Sequence, residues 1–71
     1  MTAEDMPLIK NGSKGDAVRK LQEMLNDKGY KLTVDGDFGA KTDAAVKAYQ
    51  KANHLEVDGE VGEKTWASLM K

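Results

Sequence analysis

Residues 34–46 read Val-Asp-Gly-Asp-Phe-Gly-Ala-Lys-Thr-Asp-Ala-Ala-Val, and residues 57–69 read Val-Asp-Gly-Glu-Val-Gly-Glu-Lys-Thr-Trp-Ala-Ser-Leu. Val, Asp, Gly, Gly, Lys, Thr and Ala recur in register. The similarity extends upstream, where residues 18–22 read Val-Arg-Lys-Leu-Gln and residues 46–50 read Val-Lys-Ala-Tyr-Gln. Repetition of this kind indicates two structurally equivalent halves that pack around a shared core.

Each copy predicts the same local structure. Its first residue, Val34 or Val57, is expected to anchor an extended stretch in the core. The Asp-Gly pair that follows predicts a turn, and the next apolar residue, Phe38 or Val61, is expected to enter the core. The second Gly of each copy then begins a helix. In its first turn the Thr hydroxyl is expected to bond backbone groups that lack helical partners.

Apolar spacing predicts a mainly α, compact three-helix domain with two pseudo-equivalent halves and turn-rich loops. The first helix begins near Asp16, capped by Ser13 or Gly15, and ends at Gly29, a predicted left-handed residue. Its apolar stripe comprises Val18, Leu21 and Leu25, with Met24 alongside.

The second helix runs from near Gly39 to Asn53-His54. Its expected inward face comprises Ala45, Ala48, Tyr49 and Ala52, with Val46 beside them. The third helix starts near Gly62 and carries Trp66, Leu69 and Met70 on one face. Residues 32–34 and 55–57 are predicted to be extended and to form a minor pair of short strands.

Composition indicates one small globular domain. The chain has 71 residues, of which 39% are hydrophobic and 32% charged. We expect a flexible leader over residues 1–7 and the domain over residues 8–71. No apolar run reaches the ~20 residues that span a bilayer, so no membrane contact is expected. The N-terminus does not resemble a signal peptide, which favours phage-type release or an excised domain.

Charge and residue types also narrow the function. Eleven basic and twelve acidic side chains give a net charge of −1, which disfavours nucleic acid as a partner. The chain has no Cys, and its single His has no clear geometric link to Ser13 or Ser68. His54 is interpreted as a lone surface histidine. Asp35-x-Asp37 lacks the later ligands of a calcium loop, since Gly39 and Val46 occupy those positions. We therefore expect no catalysis, no metal and no cofactor.

The ordered motifs resemble the peptidoglycan-binding domain family of the PG-binding-1 type, a three-helix module of bacterial and phage cell-wall hydrolases such as endolysins. The resemblance extends from Leu8 to Met70. The chain departs from the family at His54, where the family usually has glycine. The matching pattern is Gly12-Ser13-x-Gly15-x-x-Val18-x-x-Leu21-Gln22-x-x-Leu25, Gly29-Tyr30, Val34-Asp35-Gly36-x-Phe38-Gly39-x-x-Thr42-x-x-Ala45-Val46-x-x-Tyr49-Gln50 and Leu55-x-Val57-Asp58-Gly59-x-Val61-Gly62-x-x-Thr65-Trp66-x-x-Leu69.

The resemblance implies a non-catalytic module that binds the glycan or stem peptide of peptidoglycan and targets a covalently linked catalytic domain. It implies an extracytoplasmic site of action at the cell wall, and we expect a monomer. Two alternatives stay open: a protein–protein interaction module on the same fold, and an autonomous lytic enzyme.

The resemblance also implies a ligand over the loops that open the second and third helices, where helix N-termini suit carboxylates and acetamido oxygens. Trp66 and Tyr49 could stack on sugar rings or could belong to the core. Gln22 and Gln50 are expected to bond the backbone of the repeated loops. Because the copies differ, with Phe38 and Asp43 in one and Val61 and Trp66 in the other, a single asymmetric site is favoured. The candidate ligand-binding residues are Asp35, Asp37, Phe38, Lys41, Thr42, Tyr49, Asp58, Lys64, Thr65 and Trp66.

Overall fold

The predicted three-helix architecture is confirmed. The computed structural model describes residues 5–71, which contain α1 (Asp16–Asp27), α2 (Ala40–Ala52) and α3 (Glu63–Leu69). Residues 1–4 of the predicted leader lie outside the described residues. Between residues 5 and 71 the only extended pairings are single bridges, Ile9 with Val61 and Lys14 with Asp37. The predicted strand pair between residues 32–34 and 55–57 is therefore wrong.

The apolar stripe of α1 forms the centre of the core. Val18, Leu21 and Leu25 have no solvent exposure. The helix begins after Gly15 without a side-chain cap, and the Ser13 hydroxyl instead accepts a bond from the backbone N–H of Lys10. These three apolar residues therefore hold α1 in place through packing, with no help from a capping side chain.

The C-terminal end of α1 closes as expected. Gly29 has a φ of 102°, and the N–H groups of Gly29 and Tyr30 donate to the carbonyls of Asn26 and Leu25. These two bonds form a Schellman motif. α2 ends in the same pair of bonds, with His54 at a φ of 58° in the position of Gly29.

The apolar residue of each repeated turn enters the core, as predicted. Phe38 and Val61 are both buried, and Trp66 is buried behind them. The valines that open the two copies are not core residues, however, because Val34 is 39% exposed and Val57 is 51% exposed. Leu32 and Leu55 pack against the core two residues earlier, so the chain has already left the core when it reaches each valine.

The inward face of α2 also differs from the prediction. Ala48 and Ala52 are exposed. The buried face is instead formed by Thr42, Ala45, Val46, Tyr49 and Gln50. Val46 and Gln50 lie one turn apart, and burying both of them rotates the alanines toward solvent.

One N-terminal segment, residues 7–15, pairs with both repeated turns. The backbone N–H and C=O of Ile9 bond those of Val61 at 3.2 and 2.8 Å. Further along the same segment, the N–H of Gly12 donates to the carbonyl of Phe38, and the N–H of Phe38 donates to the carbonyl of Ser13. Because Met6 also packs against the core, contacts with the domain begin inside the segment that was predicted to be a leader.

Gln22 fixes the first repeated turn. Its side chain is buried, and its Oε1 accepts the N–H groups of Asp35 and Gly36 at 3.1 and 3.0 Å. Its Nε2 donates to the Asp35 carboxylate, the Asp37 carbonyl and the Thr42 hydroxyl at 3.0, 3.2 and 3.1 Å. The expected bonds from Gln22 to the loop backbone are therefore confirmed.

Gln50 repeats this arrangement in the second half. Its Oε1 accepts the N–H groups of Asp58 and Gly59 at 3.2 and 3.1 Å. Its Nε2 donates to the Asp58 carboxylate, the Glu60 carbonyl and the Thr65 hydroxyl at 3.0, 2.9 and 3.3 Å. In both halves the Thr hydroxyl thus accepts from glutamine and does not cap its helix, which corrects the predicted role of the Thr.

We expect Gln50→Met to destabilise the domain by about 2–3 kcal/mol, because buried groups such as the N–H of Gly59 would lose their partner. Lys51→Met, at an exposed position of the same helix, is the matched control and should change stability by less than ~0.5 kcal/mol. Urea denaturation measures both. Equal stabilities of the two variants would contradict this role of Gln50.

We also expect His54→Gly to raise the free energy of unfolding by about 0.5–1 kcal/mol, because glycine adopts the left-handed conformation without the steric cost that other residues incur. Gly29→Ala, at the equivalent end of α1, should lower it by about 1 kcal/mol. Thermal and urea denaturation of the two variants test the pair. If His54→Gly lowered the free energy of unfolding, the His54 side chain would stabilise the domain by more than its left-handed backbone conformation destabilises it.

Candidate functional site

Two grooves lie beside the repeated turns, one at the start of α2 and one at the start of α3. The α2 groove has a volume of about 290 Å³, and its lining includes Asp35, Asp37 and Lys41. The α3 groove has a volume of about 430 Å³, and its lining includes Asp58 and Lys64 at the equivalent positions. The repeat therefore places a similar set of polar side chains at both helix openings, as the sequence predicted.

The aspartate of each turn is held in a fixed position. Asp35 Oδ1 accepts the N–H of Asp37 at 2.9 Å, and Asp58 Oδ1 accepts the N–H of Glu60 at 2.9 Å. The same oxygens accept the amides of Gln22 and Gln50. Each turn is thus held by its own carboxylate, which bonds the N–H two residues later, and by the glutamine of the preceding helix.

These bonds lower the pKa of both carboxyl groups. The N–H of Asp37 has the largest effect on the pKa of Asp35, followed by the amide of Gln22. The N–H of Glu60 has the largest effect on the pKa of Asp58 and lowers it. Desolvation of the carboxyl group raises this pKa, and the bond from the Gln50 amide lowers it further. Both shifts favour the charged carboxylate, which keeps negative charge at the two turns.

The turns also lie very close to the preceding helix. A Cβ atom on Gly59 would be 2.8 Å from Asp43 Oδ1 and 3.0 Å from Lys47 Cε. Asp43 and Lys47 form a salt bridge of 3.1 Å on α2. Gly59 therefore lies against these two side chains of α2, and its φ of 73° is the left-handed conformation that favours glycine.

The structure divides the ten candidate residues into two groups. Exposed residues at the groove rims are Asp35, Asp37, Lys41, Asp58 and Lys64. The other five are buried, with Phe38, Tyr49 and Trp66 in the core and Thr42 and Thr65 in the linings of the two grooves.

Burial decides between the two interpretations of the aromatic residues. Trp66 is 0% exposed, and its Nε1 donates to the carbonyl of Pro7 at 2.9 Å. Tyr49 is buried, and its hydroxyl bonds that of Ser68 at 2.6 Å. Phe38 is buried and Tyr30 half-buried. Trp66 and Tyr49 are therefore core residues, and neither ring face is open for a sugar to stack on.

Sequence reasoning missed several residues of the α3 groove, including Leu8, Leu55, Glu56 and Glu63. His54, interpreted as a lone surface residue, is exposed but also lines this groove. Glu56 and Glu63 flank the repeated Val-Asp-Gly-x-x-Gly pattern, so an acidic surplus around the second copy was a detectable signal. Leu8 gave no signal, because only the pairing of Ile9 with Val61 brings it there.

The exposed side chains of the grooves are mainly charged. Among residues 5–71 no three His, Cys, Asp or Glu side chains are grouped so as to hold a metal ion. In that same part of the chain, each helix is too short or too polar to cross a membrane. The exposed carboxylates and lysines of the two grooves can form charge-assisted hydrogen bonds with a polar ligand.

Because both aspartates have a lowered pKa in the folded state, we expect stability to fall in acid. The stabilisation is fully present above the unfolded-state pKa of about 4 and is lost as pH falls through the lower folded-state values. Thermal unfolding followed between pH 6 and pH 2 should show this loss. The Asp35→Asn/Asp58→Asn double variant keeps the turn acceptors and should have a shallower acid dependence. If the double variant had the same pH profile as wild type, it would contradict the link between these two carboxylates and stability in acid.

Comparisons with known proteins place the chain in one family. The family model described as "Putative peptidoglycan binding domain" matches residues 14–69. An uncharacterized protein of Kitasatospora aureofaciens is 46% identical over 89% of this chain and 55% of its own length. The zinc D-Ala-D-Ala carboxypeptidase of Streptomyces albus G is 41% identical over 86% of this chain and 25% of its own length. A spore cortex-lytic enzyme of Halalkalibacterium halodurans is 43% identical over 90% of this chain and 20% of its own length.

Solved structures agree with these matches. The SleB N-terminal domain is 37% identical with a TM-score of 0.88, and the match covers 93% of this chain and 92% of that one. The L,D-transpeptidase of Xylanimonas cellulosilytica is 48% identical with a TM-score of 0.84, over 87% of this chain and 31% of that one. A fused zinc-dependent amidase/peptidase from Clostridium acetobutylicum has a TM-score of 0.89 at 37% identity, over 94% of this chain and 30% of that one.

The chain spans about half the length of the first curated relative and a quarter or less of the next two. The part that it shares with them is one domain, with the three helices and repeated turns described above. Since the family model covers residues 14–69 and its relatives have the same fold, the chain belongs to the peptidoglycan-binding domain family of the PG-binding-1 type.

Proposed function

We propose that this chain is a non-catalytic module that binds peptidoglycan and holds a linked wall enzyme on its substrate. The observation that carries this proposal is that enzymes of different reactions share this one segment. A D-Ala-D-Ala carboxypeptidase and an L,D-transpeptidase match it over 25% and 31% of their lengths. A segment common to different reactions serves what those reactions have in common, and the family model that matches this segment is described as peptidoglycan-binding.

The exposed groove residues supply the binding contacts in this proposal. Asp35, Asp37 and Lys41 at the α2 groove, with Asp58 and Lys64 at the α3 groove, can bond the amides, carboxylates and amines of the wall polymer. α2 begins without a side-chain cap, so its first N–H groups can also take a carboxylate or acetamido oxygen.

The buried candidates act indirectly in this proposal. Thr42 and Thr65 bond the two glutamines, while Phe38, Tyr49 and Trp66 fill the core. The three aromatic residues support the grooves from the core, and the two threonines hold the glutamines at the groove linings. The unequal linings of the two grooves favour a single asymmetric site over two identical ones.

The domain works as one part of a longer wall enzyme in this proposal. Its relatives are longer chains, and we propose that this domain likewise works as a monomeric unit joined to a catalytic domain. The place of action is the cell wall, outside the cytoplasm. Reaction chemistry belongs to the attached domain.

We expect the domain to pellet with purified, protein-free cell-wall sacculi at micromolar concentration, and to leave sacculus turbidity unchanged. A small globular protein of similar net charge is the control and should stay in the supernatant. Failure of the domain to pellet, with its fold verified by circular dichroism, would contradict the proposal. Recovery of one partner protein in place of wall material would favour a protein-interaction module, and clearing of turbidity would indicate an enzyme.

A further inference from the structure

The two grooves differ in their apolar residues. The α3 groove is lined by Leu8, which lies outside the repeat, and by Leu55. Leu8 is 59% exposed, more than any other large apolar side chain among residues 5–71. The lining of the α2 groove, in contrast, contains Ala40 as its only aliphatic side chain. The α3 groove therefore presents two leucine side chains to a ligand, where the α2 groove presents one alanine.

Leu8 is exposed but its backbone is held on both sides. The carbonyl of Pro7 accepts the indole N–H of Trp66 at 2.9 Å, and Ile9 pairs with Val61 through two backbone bonds. Leu8 Cδ1 lies 3.6 Å from the position of a Cβ on Gly62, the residue before α3. An apolar side chain left open to solvent on a fixed backbone is available for contact with a ligand at no cost in backbone ordering.

Charge further separates the grooves. The α3 groove is lined by four carboxylates (Glu56, Asp58, Glu60 and Glu63) against one lysine, Lys64, which gives −4 + 1 = −3 with His54 neutral. The α2 groove has two carboxylates and Lys41, which gives −2 + 1 = −1. Both salt bridges found among residues 5–71 lie elsewhere, at Asp16–Arg19 and Asp43–Lys47. A cationic group is therefore the complementary occupant of the α3 groove.

We propose that the α3 groove binds the stem peptide of peptidoglycan, with the free side-chain ammonium of its diamino acid facing the carboxylates and its alanine methyl groups on Leu8. This inference rests on the proposed function. The glycan is the less suitable occupant, because its N-acetylated sugars carry no cation. Neither groove is lined by a Phe, Tyr or Trp ring on which a sugar could stack, since Phe38, Tyr49 and Trp66 are buried and Tyr30 lies outside both grooves. The domain then distinguishes stem peptides with a free amine from those whose amine is already cross-linked.

The ligand arm of the test compares two soluble stem peptides, one with a free side-chain amine and one with that amine N-acetylated. Calorimetric titration of the wild-type domain at low ionic strength should give roughly three- to tenfold weaker binding after acetylation. Backbone NMR shifts on adding the free-amine peptide should fall on Leu8 and residues 54–65. Equal affinity for the two peptides, or shifts confined to residues 33–42, would overturn the proposal.

The protein arm uses paired variants at exposed positions. Leu8→Ser should weaken binding of the free-amine peptide roughly three- to tenfold through lost apolar contact, whereas Val34→Ser makes a similar change outside both grooves and should have no effect. Glu63→Gln should weaken it about two- to fivefold, and Glu23→Gln on α1 should not. If the two variants of each pair bound the free-amine peptide equally well, the assignment of the site to the α3 groove would be overturned.

The sacculus assay separates the two levels of the hypothesis. If wild type pellets with sacculi while Leu8→Ser and Glu63→Gln bind the peptide as wild type does, the groove assignment is wrong and peptidoglycan binding stands. If wild type does not pellet, the proposed function itself fails. Circular dichroism of each variant confirms that a loss of binding is not a loss of fold.

Discussion

Two buried carboxamides, those of Gln22 and Gln50, determine the form of everything around them. Each amide satisfies two N–H groups and three acceptors of the turn beside it. A buried amide is costly unless all its hydrogen-bonding groups have partners, and no buried side-chain N or O among the described residues lacks one. The turn, the apolar residue that follows it and the first turn of the next helix are thereby fixed relative to the helix that carries the glutamine. The repeat is thus a unit in which one helix positions the start of the next.

The two units are joined by the segment that precedes them. Residues 7–15 bond the first turn at 36–38 and the second at 61, so a single stretch of chain closes both halves. This closure also makes the halves unequal. It brings Leu8 to the α3 groove, and no equivalent residue reaches the α2 groove. The family match begins at residue 14, yet the contacts that shape the second groove begin before it.

The candidate site consequently combines a backbone scaffold that is similar in both halves with surface side chains that differ between them. Glutamine, Asp-Gly turn and threonine are the same in both halves and serve the scaffold. Some of the residues that differ, such as Glu63 against Ala40, lie on the groove surfaces, whereas others, such as Phe38 against Val61, lie in the core. Relatives with quite different reactions keep the same domain, which fits a scaffold whose surface can change without loss of the fold.

Local sequence was enough to predict the three helices, the left-handed end of α1, the core residues Phe38 and Val61, and the bonds made by the two glutamines. These features depend on local spacing and on the conformational limits of particular residues. Three outcomes required the folded chain: Val34 and Val57 face solvent, Trp66 and Tyr49 are core residues, and Leu8 lines a groove. Those outcomes depend on which surfaces are left uncovered once the N-terminal segment pairs with both turns. These pairings, Ile9 with Val61 and Lys14 with Asp37, join residues that are far apart in the chain and have no signature in local sequence.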